Sequence, residues 1–148
     1  MTTLPERHGS AKNPELDVAK QRPDGMSDEV TAALGKLSEA LEVVEHARGL
    51  LYGFHRLCGT ADLTLQDAVE KFRAAGMADL ADEIEHCLVG RDIVDGRWSF
   101  QVVEAYDSQY WAVFRDVERE ARERTGAAQH VFEAEMKHRE QQGSGTPD

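Results

Sequence analysis

The chain has 148 residues, 41% of them apolar, and its 28 acidic against 17 basic side chains leave a net charge of −11. That length supports one core rather than two, and the negative charge argues against a phosphate backbone or an anionic membrane surface as partner. No apolar run nears the ~18 residues that a spanning helix needs. The first residues also lack a basic region followed by an apolar block, so the expected location is cytoplasmic.

Residues 1–25 carry three of the four prolines (Pro5, Pro14, Pro23) with mixed charge and no apolar periodicity, the composition of a disordered tail. Ser27 then offers an N-cap, with Asp28 and Glu29 in the first turn where the helix dipole favours negative charge. From there Val30, Leu34, Leu37, Leu41, Val44, Arg48, Leu51, His55 and Cys58 recur at alternating steps of four and three, one face of a long helix. Gly59 is read as its left-handed stop. Thr64 with Asp67 resembles a capping box opening a short helix that Gly76 ends, and a second short helix covers about 78–88. Residues 91–97 form a connection with an Asp-Gly turn, after which Ser99 is expected to cap a long helix to about Arg124. In that helix Phe100, Val103, Asp107, Tyr110, Phe114, Val117 and Ala121 repeat the four-three spacing. Residues 128–139 suggest a last helix, and 142–148 a frayed end.

The expected fold is an all-α antiparallel bundle over 26–141: two long helices, two short helices between them, and a short C-terminal helix. Three chain reversals would bring the end of the first long helix beside the start of the second, with Asp107 about one turn from both Arg48 and His55. Cys58 and Cys87 fall at apolar helical positions and read as reduced structural thiols.

Charges on a buried stripe are costly unless paired. Arg48, His55, Glu104, Asp107 and Tyr110 therefore form a candidate polar site. Arg48 could grip a small acidic ligand and His55 could move a proton, or Asp107 could simply neutralise Arg48 and set helix register. Both tryptophans lie in the aromatic run 98–114, and Trp111 stands beside the seam as a candidate for a protein contact. Gly35, Gly49 and Gly53 on the first helix would admit a close partner helix. The chain has no phosphate loop, Cys-x-x-Cys or nucleophile elbow, so no enzyme class is indicated.

A second reading starts from Glu45, then Glu83 with His86, then Glu104, then Glu135 with His138. That order resembles the Glu, Glu-x-x-His, Glu, Glu-x-x-His set of the ferritin-like di-iron proteins. The resemblance spans most of residues 26–141 and implies a carboxylate-bridged di-iron or other divalent metal pair with oxidase or storage chemistry. Against it, His86 falls about 140° from the Leu80, Ile84, Cys87 face of its own helix at ~100° per residue. The leading expectation is a binding protein that engages a second copy of itself, another protein or a small acid, with no cofactor.

Overall fold

The computed structural model describes Val18 and residues 20–143. It is all-α. Helix α1 spans Asp28–Ala74, α2 spans Ala78–Leu88 and α3 spans Ser99–Tyr106. A π-helical turn, Asp107–Trp111, joins α3 to α4 (Ala112–Thr125), and α5 covers Val131–Gly143. No helix among the described residues is long and apolar enough to cross a membrane.

Helix α1 begins as its sequence dictates, with Ser27 Oγ accepting from the Val30 backbone N–H at 3.2 Å. It does not stop at Gly59. The Thr60 and Thr64 hydroxyls bond back to the carbonyls of Arg56 and Thr60 at 3.1 and 2.8 Å, so Thr64 sits inside a helix rather than capping a new one. The two short helices expected between the long ones are therefore one, since the first is the end of α1. Asp62, Leu65, Val69 and Phe72 carry the four-three spacing straight on from Cys58. The true stop is Gly76, at φ +79°, where the Met77 N–H reaches the Phe72 carbonyl and the Gly76 N–H reaches that of Arg73. These two bonds are a Schellman closure, which needs a residue free to take a positive φ.

The chain divides into two compact units, a division the periodicity does not announce. In the central unit, Glu42–Phe114, α2 and α3 return along α1 in the opposite sense. Arg73 pairs with Asp82, Asp62 with Gly90, His55 with Ser99, and Arg48 with Asp107, so each step back along α1 matches a step forward on the return. The single reversal at Gly76 makes this a hairpin. The segment between α2 and α3 does not turn the chain again; it holds only the Asp95-Gly96 turn, closed by a bridge between Val94 and Arg97. Buried side chains are few: Val44, Val69, Ala81, Ser99 and Val103.

The terminal unit comprises the described residues through Leu41 and those from Arg115. Its core joins Leu34 to Ala127 and Val131, with Met26 and Ala121 packed against them. Gly35 lies where a Cβ would come 2.6 Å from Phe132 Cγ, so α5 rests directly on the α1 backbone. Residues 20–25, assigned to the disordered tail from composition, are instead held in this unit. Arg22 makes a two-pronged contact to Glu135 at 2.6 and 2.8 Å and a third to Asp28 at 2.6 Å. Lys20 donates to the Gln129 carbonyl. The remaining tail residues, 1–17 and 19, and the end from 144, lie outside the described residues.

The π-helical turn changes which residues of the second long helix face inward. It inserts one residue into the α-helical repeat and so departs locally from the four-three spacing. Tyr110 and Val117, expected on the seam, are 50% and 54% exposed, while Trp111 is half-buried and Glu118 is 3% exposed. In the terminal unit the Glu118 carboxylate accepts from Ser38 Oγ at 3.1 Å and from Arg122 Nε at 2.8 Å, which satisfies the buried charge.

Candidate functional site

The central unit brings together two of the residues expected to meet, Arg48 and Asp107. Their four-three positions put Arg48 of α1 opposite Asp107 of the π-helical turn, and the Arg48 fork grips the carboxylate through Nε to Oδ1 at 2.7 Å and Nη2 to Oδ2 at 3.0 Å. The guanidinium also lies 4.1 Å from the Trp111 ring centroid and 5.0 Å from that of Tyr52, in cation–π range of both. Trp111 is fixed in turn, since its Nε1 donates to Glu45 Oε1 at 2.8 Å. Asp107 and Trp111 are the first and last residues of the π-helical turn, four positions apart, and so face α1 together.

The Arg48 hydrogen bond holds the Asp107 carboxyl below its usual range, against opposing desolvation, and the same bond raises Arg48. Each side chain of the pair keeps about a quarter of its surface, so water screens the contact in part. Tyr106 donates to the Val44 carbonyl at 3.2 Å, and burial pushes its phenol up, so it remains a donor at neutral pH.

His55 does not join this cluster. Its Nδ1 shares a 2.8 Å hydrogen bond with Ser99 Oγ. Ser99 is consequently not the cap expected for the second long helix; the Gln101 side chain takes that role by accepting from the Trp98 N–H at 2.8 Å. Asp107, expected about one turn from both Arg48 and His55, meets Arg48 directly, and His55 meets Ser99 instead. Tyr110 is packed on the Tyr106 and Phe114 rings, at 5.4 and 6.0 Å, and Glu104 is exposed.

The carboxylates and histidines of the di-iron pattern have other engagements. Within the central unit, Glu45 is bound to Trp111, and Glu83, His86 and Glu104 are exposed and do not converge. In the terminal unit the Glu135 carboxylate is lowered by Arg22, with Arg139 3.5 Å away, and His138 bonds to Gln142. Glu135 and His138 line an open cleft of about 740 Å³ whose walls also carry Lys20, Arg22, Lys137 and Arg139. A cation-rich wall repels a metal ion, and these residues do not fit the resemblance.

One surface feature escaped the seam-based reading. Helix α1 carries a second four-three stripe beside the first: Val43, Ala47, Leu50, Phe54, Leu57 and Ala61. It is exposed, with Leu50 at 65% and Leu57 at 69%. The signal was present in the sequence as a second heptad repeat displaced by one residue from the seam. Comparison with family models, curated proteins and solved structures finds no match to this chain.

Proposed function

We propose that the chain is a helical binding protein whose working surface is the outer stripe of α1, with the Arg48–Asp107 contact serving as a clasp that sets the register of the hairpin presenting it. The exposure of Val43, Leu50, Phe54 and Leu57 at coiled-coil spacing carries this reading. Knobs at that spacing fit the holes of another helix and little else. The clasp side supports a structural role, because both prongs of the Arg48 fork are taken by Asp107 and aromatic rings lie against it. A small acidic ligand would have to displace a carboxylate already in place.

A synthetic amphipathic peptide with leucine at four-three spacing tests the reading. Titrated into isotopically labelled protein at low concentration, it is expected to shift the amide resonances of residues 43–61, and Leu50→Glu is expected to abolish the shifts. Shifts confined to the surroundings of Arg48 and His55, or none, would refute it.

A further inference from the structure

We infer that the occupant of the outer stripe is a second copy of this chain, two hairpins packing face to face so that their α1 helices run antiparallel. This rests on the reading of the stripe as a helix-binding surface and names its partner.

Three observations converge on a second copy. The first is area. Tyr106 donates to the carbonyl of Val44, the neighbour of Val43, and Tyr110 packs on Tyr106, so the apolar surface continues from α1 onto the return segment. From the exposed fractions of Val43, Leu50, Phe54, Leu57, Tyr110 and Val113, with the two alanines, roughly 700 Å² of apolar surface faces outward. That exceeds the ~300–600 Å² patch of an ordinary monomer and approaches the ~800 Å² each partner contributes to a stable dimer.

The second is charge. In a chain of net charge −11, the six stripe positions from Val43 to Ala61 hold none. An acidic surface that spares one row of one helix is suited to meeting another surface of the same kind, whose own charges would otherwise repel it.

The third is shape. In an antiparallel helix pair, the positions of one heptad meet their counterparts in reverse order. Centred on position 52, that order sets Leu50 against Phe54 of a second copy, Ala47 against Leu57, and Val43 against Ala61. The outer layers pair a larger side chain with an alanine.

Sedimentation equilibrium of the full chain across the micromolar range, with Leu50→Glu/Leu57→Glu beside it, tests the inference. The expected masses are twice 16.5 kDa for the parent and 16.5 kDa for the variant, with unchanged helical circular dichroism and association weakened at least ~100-fold. Should the variant lose helicity, carbene footprinting of the unmodified chain reads the same contact, labelling of Leu50, Phe54 and Leu57 falling as concentration rises. A dimer that survives the double substitution in a folded variant, or that leaves this labelling unchanged, overturns the inference. So does a parent chain that stays at 16.5 kDa. In that last case the leucine-heptad peptide separates the two ideas: binding leaves the helix-capturing surface with a different occupant, and no binding removes that reading as well.

Discussion

The terminal and central units share helix α1 and its four-three spacing, yet they close in different ways. In the terminal unit a third layer completes the packing: α5 lies on Gly35, and Arg22 straps residues 20–25 to Glu135 and Asp28. Even the buried charge of Glu118 finds a hydroxyl and a guanidinium. The central unit has only the hairpin. One flank is closed by the Arg48, Asp107, Trp111 and Glu45 chain of contacts, and the other is left bare along the stripe from Val43 to Ala61. A heptad seam is sufficient to join two helices and insufficient to cover them. A two-helix layer leaves apolar flanks exposed, and they are covered either by more of the same chain or by another chain.

The largest effect is expected at Glu118 in the terminal unit. Glu118→Ala removes the shared acceptor of Ser38 and Arg122 and is expected to cost on the order of 3 kcal/mol in urea denaturation. A loss under about 0.5 kcal/mol would show that the buried carboxylate does not hold the terminal unit together.

Next come the glycines, where the two units should respond with opposite sign. Gly35→Ala places a Cβ against Phe132 and is expected to destabilise by about 1–3 kcal/mol despite its better helix propensity. Gly49→Ala, facing open space in the central unit, should gain about 0.5–1 kcal/mol. Equal responses at the two sites would erase the distinction between a finished and an open layer.

A smaller effect is expected at the clasp. Asp107→Asn should lower the thermal midpoint by roughly 5 °C, an effect held down by the exposure of the pair. It should also change the emission of Trp111, whose ring lies against Arg48. The pH dependence has a definite sign. Because Arg48 lowers the folded pKa of Asp107 below the ordinary value of 3.8, its contribution is complete above that value and is lost as pH falls through the depressed one. Acid titration of the parent should therefore show a loss of stability below about pH 4 that is shallower in Asp107→Asn. Asp28 and Glu135, both lowered by Arg22, add an acid-labile contribution in the terminal unit that the substitution leaves untouched. Identical acid profiles for parent and variant would remove the clasp from the account.

The smallest effect is that of salt on association. Raising ionic strength from low to physiological should tighten self-association severalfold by screening a chain of charge −11. Weakening instead would mean that opposite charges, not apolar surface, join the copies.

Much of this architecture was legible in the chain, because helix periodicity is a local property. The run of apolar positions from Leu34 to Cys58, the Ser27 cap, the helix at Ala78–Leu88, the Asp95-Gly96 turn and the pairing of Arg48 with Asp107 all follow from spacing and from the cost of burying an unpaired charge. Tertiary structure decided the rest. Gly59 is permissive rather than terminating, and it ends a helix only where the following backbone closes a left-handed cap, as it does at Gly76. The π-helical turn is invisible to a fixed 100° wheel. At the turn Trp111 takes the half-buried place expected of Tyr110, while Phe114 keeps its own. The strap at Arg22 joins residues more than a hundred positions apart, a contact that no local pattern encodes and that exists only once the helices have brought its two ends together.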